Sequence, residues 1–180
     1  MDYIQSIEFD LEKIRPRKDW KDSLADELGD GFDILAPRMP NANDAHYGEW
    51  KIWFEKILAL CDENIILIGH SLGGIFLAKY LAENTTAKKI KATILLAAPF
   101  DTEGCDESLG DFILPKSLDN LAKQGGKIYL LHSKDDPVLP FEQVGKYQVV
   151  LPEAKVMIFE DRGHFKMEKF PEMVDLLKGL

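Results

Sequence analysis

Residues 64–74 read NIILIGHSLGG, an apolar run that ends in Gly69-His70-Ser71-Leu72-Gly73. A serine fenced by glycines where a buried strand meets a helix has the G-x-S-x-G pattern, in which a sharp turn lifts the hydroxyl clear of the sheet. The turn also sets Ser71 at the N-terminus of the next helix, whose dipole favours developing negative charge. A glycine-rich turn with a helix-capping serine is the plainer alternative. Chemistry needs more than Ser71, because a hydroxyl is a weak nucleophile until a base takes its proton and a third group orients that base.

Two later stretches offer those groups. SKDDPVLPF follows the apolar run KIYLLH, so Asp135 and Asp136 fall at the carboxyl end of a strand. EDRGHF follows AKVMIF, which puts His164 just beyond the next strand. Asp136 is favoured as the orienting acid, since Asp-Pro-Val-Leu-Pro sets it one residue before a rigid turn; Asp135 then reads as a solvated or helix-capping neighbour. Glu160 and Asp161 lie near His164 and read as acidic loop residues. Among the histidines, His70 sits inside the elbow, His132 ends a strand and reads as structural, and His46 lies in a polar loop. His164 fits the base role, and the chain order serine, aspartate, histidine suits a triad built on a parallel sheet.

Five apolar runs of strand length can carry these residues: 32–37, 64–69, 92–98, 127–132 and 154–159. They are nearly continuous rather than alternating, as in strands buried on both faces of a parallel sheet. Between them lie helical patterns: Trp20, Leu24 and Leu28 with Gly29 as a stop, then Trp50, Trp53, Phe54, Ile57 and Leu58 as one broad stripe. Helical stretches also follow the elbow and close the chain. The alternation predicts a single α/β domain over residues 1–180, a doubly wound, mainly parallel sheet with helices on both faces. Residues 100–120 form a lid-like insertion after a strand, where ligands of such sheets bind. Within it Phe112, Ile113 and Leu114 offer apolar contact. Phe112 is a candidate substrate-binding residue, with packing against nearby helices as the equal alternative.

The formal net charge of -9 disfavours nucleic acid and anionic lipid as partners. No apolar run approaches the roughly 20 residues that span a bilayer. The N-terminal MDYIQSIEFDLEK is acidic and lacks the apolar segment of a signal peptide. Cys61 and Cys105 have neither metal-ligand spacing nor disulfide-scaffold density, so a reducing, cytoplasmic setting is expected.

Together GHSLGGIFLAKYL, HSKDDPVLPF and FEDRGHF resemble the small single-domain α/β-hydrolases, especially the retinoblastoma-binding-protein-like serine hydrolases. RMPNANDAHYGEWKIWFEKI is similar to the segment ahead of the elbow in those proteins, and the likeness spans roughly residues 18–180. It implies Ser71 as nucleophile, Asp136 as acid, His164 as base and the Leu72 backbone N–H as one oxyanion donor, with no metal and no organic cofactor. The implied activity is hydrolysis of a small-molecule ester through an acyl-enzyme. The other reading is a non-catalytic binding protein that keeps the elbow for folding. A haloalkane dehalogenase is excluded, because it would need an aspartate at position 71.

One departure stands out. Members of the family usually begin with a buried strand ending in His-Gly, whose loop gives the second oxyanion donor. Residues 1–17 hold no His-Gly, and Ile4, Ile7 and Leu11 recur at helical spacing instead. The fold is therefore expected without its usual first strand, which would lie between the strands at 32–37 and 64–69. Losing one oxyanion donor costs about 10²–10³ in kcat, and an unfilled slot exposes strand edges. Weak turnover and self-association are the corresponding expectations.

Overall fold

The computed structural model describes residues 18–105 and 108–180. The expectations for residues 1–17 lie outside the described residues. The chain divides into two compact units, one with its described part at 18–36 and 166–179, the other running over 37–165.

In the first unit, helix α1 (Trp20–Leu28) opens with a capping box. The Asp19 carboxylate accepts the Lys21 N–H at 3.1 Å and the Asp22 carboxylate accepts the Asp19 N–H at 3.0 Å. Trp20, Leu24 and Leu28 are its buried residues, as their spacing predicts, and Gly29 ends it at φ +68°. A 3₁₀ turn (Gly29–Gly31) follows. The unit closes with α6 (Pro171–Lys178), started by proline at its first position. The rings of Trp20 and Phe170 meet edge-on at 5.7 Å.

Residues 32–37 do not form the predicted strand. They are extended at Phe32, but Leu35 is 57% exposed. A strand exists only by pairing, and among the described residues this run has no ladder partner. The apolar pattern alone could not supply one.

The second unit carries a four-stranded parallel sheet. Its elements are α2 (Tyr47–Leu60), β1 (Ile65–His70), α3 (Leu72–Glu83), β2 (Ile90–Leu96), α4 (Asp119–Gln124), β3 (Lys127–Ser133), α5 (Glu142–Val150) and β4 (Lys155–Phe159). The spatial order is β1-β2-β3-β4, so each crossover moves to the next strand. With crossovers of the usual right hand, movement in one direction places α3, α4 and α5 on one face. The central strands β2 and β3 are buried along nearly all their length, while β1 and β4 are half-buried. Register pairs His70 with Leu96, Leu96 with Leu131 and Ser133 with Phe159. All carboxyl ends therefore lie along one edge of the sheet.

An aromatic cluster joins α2 to α3. Phe54 meets Tyr80 at 4.9 Å and Phe76 at 5.4 Å, and Trp50 meets Phe76 at 5.6 Å. Trp50, Phe54 and Leu58, spaced i, i+4, i+8, are the buried line of α2. The predicted stripe is narrower than expected, since Trp53 is 45% exposed.

Residues 97–118 contain no helix or strand among the described residues, and they are tied down at both ends. Buried Gln143 on α5 accepts the Phe100 and Asp101 N–H groups and donates to the Glu103 carbonyl. Lys146 pairs with Asp101 at 2.7 Å. Further on, Asp111 caps α2 by accepting the Tyr47 N–H at 2.9 Å, and Lys79 on α3 donates to the Ile113 carbonyl.

Between those anchors the ring of Phe112 is 1% exposed and packs on Trp50 at 5.1 Å and Tyr47 at 6.0 Å. The expectation that Phe112 contacts substrate is corrected to the packing alternative, because its ring is enclosed by the α2–α3 aromatics. Phe112→Ala is expected to cost about 3–5 kcal/mol in denaturant unfolding. A loss below about 1 kcal/mol, the range of surface changes, would contradict the core assignment.

Candidate active site

The elbow forms where β1 runs into α3. Ser71 adopts φ 55°, ψ -123°, a conformation that costs a side-chain-bearing residue about 1–3 kcal/mol. Its N–H donates to the Leu96 carbonyl at 2.9 Å and its carbonyl accepts the Gly74 N–H at 2.8 Å, so the turn is fixed from β2 and from α3. Ser71 occupies the N-cap position, yet its side chain makes no capping hydrogen bond. The capping alternative thus has no contact to rest on.

The glycine requirement differs from the simple motif. A Cβ on Gly69 would lie 2.7 Å from the Gly74 Cα, and one on Gly74 would lie 2.5 Å from the Ala98 Cβ. A Cβ on Gly73 would meet nothing within 4 Å. Close approach therefore demands glycine at 69 and 74, not at 73. The Gly-Gly doublet was the available signal, but the crowding comes from Ala98, far along the chain.

Leu72 is the first residue of α3. It belongs to the first turn, whose N–H groups have no intrahelical acceptor and collect the positive end of the helix dipole.

Asp136 follows β3 and His164 follows β4, and the structure brings them together. His164 Nδ1 lies 2.8 Å from Asp136 Oδ2 and 3.1 Å from Oδ1. The Asp136 side chain is fully buried and that of His164 is 6% exposed. Asp136 Oδ1 also accepts the Val138 and Leu139 N–H groups at 2.8 and 3.0 Å, in the turn that Pro137 stiffens. Burial pushes this carboxyl up, but the hydrogen bonds from His164, Leu139 and Val138 outweigh it and hold it below the ordinary carboxylate range. With the carboxylate ionised, Nδ1 carries the imidazole proton and Nε2 is left with its lone pair. Among the described residues neither the Ser71 hydroxyl nor His164 Nε2 makes a hydrogen bond, as is common before substrate binds.

His70, the residue before Ser71, places Nε2 2.9 Å from the His164 carbonyl, and the two rings are 4.9 Å apart. That contact sets the elbow beside the histidine loop, and nothing in the sequence pattern signalled it. His132 is buried with Nε2 3.3 Å from the Leu139 carbonyl, and burial lowers its affinity for a proton, which suits a structural histidine. Glu160 pairs with Lys134 at 2.6 Å and Asp161 with Arg162 at 3.4 Å, both on the surface.

Asp135 turns away from the His164 ring and accepts the Gly163 N–H at 2.9 Å. It is exposed, as a solvated neighbour would be, and it also bridges two loops by accepting the Ser133 hydroxyl, rather than capping a helix. Among the described residues no group of three His, Cys, Asp or Glu side chains is placed to hold a metal. None of the described helices is long and apolar enough to cross a membrane.

An aspartate held low in the folded state stabilises the fold above its unfolded value, about 3.9, and that contribution is lost as pH falls through the folded value. Wild type is therefore expected to keep its stability advantage over Asp136→Asn down to about pH 5 and to lose it only below about pH 4, read by denaturant unfolding across pH. An advantage that vanishes between pH 7 and pH 5 would contradict the hydrogen-bonded, ionised carboxylate.

The arrangement has known relatives. The serine hydrolase family matches residues 14–178. The serine hydrolase RBBP9 of Rattus norvegicus is 32% identical over 153 residues, covering 83% of this chain and 78% of that protein. Among solved structures, the ydeN gene product from B. subtilis superposes with a TM-score of 0.79 at 20% identity over 89% of each chain. The esterase EaEST from Exiguobacterium antarcticum does so with a TM-score of 0.56 at 18% identity, over 74% of this chain and 72% of that one. At these identities the structures speak for the α/β-hydrolase fold. The family match over most of the chain places this protein in the serine hydrolase family, as a small hydrolase of the RBBP9 type.

Proposed function

We propose that the protein hydrolyses small carboxylic esters through Ser71, His164 and Asp136 and a covalent acyl-enzyme. The observation that carries this reading is the buried 2.8 Å pairing of His164 Nδ1 with Asp136, set next to the strained serine turn. Ser71 Oγ attacks the ester carbonyl carbon while His164 Nε2 takes the hydroxyl proton. Asp136 stabilises the imidazolium that results. The tetrahedral oxyanion forms at the start of α3, where the Leu72 N–H donates to it. Collapse expels the alcohol, which receives the proton from His164. Water, deprotonated in turn by His164, then attacks the acyl-serine and releases the acid.

One feature favours an ester over an amide, and another bears on acyl length. Leu72 is the one oxyanion donor the reading names, and an alkoxide leaves with less help than an amine. The tied-down insertion, with Phe112 turned inward, favours short acyl groups. A non-catalytic binding role gives no reason to hold Ser71 at a costly φ with its hydroxyl unused in capping.

A fluorophosphonate probe and a panel of short- and long-chain esters test the proposal. Wild type is expected to label and to prefer short chains. Ser71→Ala and His164→Ala should each lower kcat by about 10³-fold or more, with double mutants little worse than singles. Asp136→Asn should lower it by about 10⁴-fold by disfavouring the productive tautomer. No labelling of well-folded wild type would overturn the proposal in favour of binding.

A further inference from the structure

The segment that carries His164 does not hold its own position. Gly163 and Phe165 both adopt positive φ, +50° and +52°, so the loop reverses on either side of the histidine. One turn bond, Phe165 N–H to the Arg162 carbonyl at 3.0 Å, closes it locally. Further polar contacts among the described residues reach outward to β3, to the residues just after β3, and to the elbow.

Three of those contacts clamp consecutive residues. The Arg162 N–H donates to Ser133 Oγ at 2.9 Å. The Gly163 N–H donates to Asp135 Oδ1 at 2.9 Å. The His164 carbonyl accepts from His70 Nε2 at 2.9 Å. The Ser133 hydroxyl has one proton and two acceptors in reach, Asp135 Oδ1 and, at 3.4 Å, the Phe159 carbonyl; the shorter contact to Asp135 is the better bond. Asp135 Oδ1 is thus the node that receives both the Ser133 hydroxyl and the Gly163 N–H. The exposed pair between Lys134 and Glu160 also spans the two loops, but such surface pairs contribute little.

Asp135 and Asp136 are adjacent and divide the work. Asp136 faces the imidazole, while Asp135 faces the N–H of Gly163, the residue before the histidine. We propose that Asp135 is a positioning residue that, with Ser133, fixes the His164 backbone so that the imidazole meets Asp136 and Ser71 together. The proposal rests on the Ser71–His164–Asp136 reading above. It requires an acceptor oxygen at position 135, not a negative charge. Misplacing a catalytic group by about 1 Å costs up to about 10²-fold in rate, and Asp135 makes no contact that would bind substrate.

The test compares wild type, Asp135→Ala, Asp135→Asn and Ser133→Ala for steady-state turnover of a short-chain aryl ester and for the second-order rate of fluorophosphonate labelling. Asp135→Ala is expected to lower kcat and the labelling rate together by about 10–100-fold, with KM changed by less than about threefold. Asp135→Asn keeps the acceptor oxygen and should recover most of that loss. Ser133→Ala, which removes one of the two donors to the node, should lose less, about 3–10-fold in kcat. Wild-type kcat in Asp135→Ala, or equal losses in the Ala and Asn variants, would overturn the clamp; the second result would point to charge instead. If Asp135→Ala does not fold, Ser133→Ala decides, and unchanged kcat in it overturns the proposal. Ser71→Ala, run alongside, separates the two readings: turnover or labelling that persists there overturns the triad itself, whereas its loss together with unimpaired Asp135→Ala overturns only the clamp.

Discussion

The buried contact between Asp136 and His164 is the constraint to which the rest of the site answers. A carboxylate enclosed by protein stays ionised only if donors replace the water it loses. Here the donors are two backbone N–H groups from its own turn and the Nδ1–H of His164. The same bond that keeps Asp136 charged also fixes which nitrogen of His164 is free. The fold has to bring one turn after β3 and one turn after β4 within hydrogen-bond reach. The parallel pairing of those two strands, in register from Tyr129 and Lys155 to Ser133 and Phe159, does so.

The elbow meets that pair from the other side. β1 and β2 run in register to His70 and Leu96, and the Ser71 N–H continues the ladder to the Leu96 carbonyl. That last bond, and the close contact of Gly74 with Ala98, hold the serine in a conformation it would not choose alone. Packing of α3 against α2 through Phe54, Phe76 and Tyr80 supplies the apolar burial that outweighs the local strain. His70 then joins elbow to histidine loop. Strain, packing and polar contact act on neighbouring residues of one short segment, 69–76.

Much of this was legible in the sequence, and the failures are instructive. β2 and β3 read clearly because a strand buried along its whole length leaves an unbroken apolar run. The run at 32–37 looked the same, but strand formation is a property of a pair, and no pattern within six residues reveals whether a neighbour exists. Ser71, Asp136 and His164 could be picked out because each sits just beyond an apolar run, where a parallel sheet gathers its loops. Asp136 could be preferred to Asp135 from its place just before the Asp-Pro turn, but the contact of Asp135 with the Gly163 N–H could not be read, since it comes from another loop. Gly74 was missed for a similar reason: its need for a bare Cα comes from Ala98, more than twenty residues away. Phe112 lay between two readings that its apolar neighbours could not separate, and the anchors at Asp111 and Ile113 turned it inward.

The central claim is that Asp136 holds His164 as the Nδ1–H tautomer, with Nε2 free to act as the base. Two-dimensional ¹H–¹⁵N spectra of the histidine rings, recorded at neutral to mildly alkaline pH on protein selectively labelled at histidine, test it directly. His164 is expected to show a protonated Nδ1 and an unprotonated Nε2, with its Nδ1 proton shifted to low field and lost from that position in Asp136→Asn. A His164 ring found as the Nε2–H tautomer, or as the mixture of a free imidazole, would contradict it.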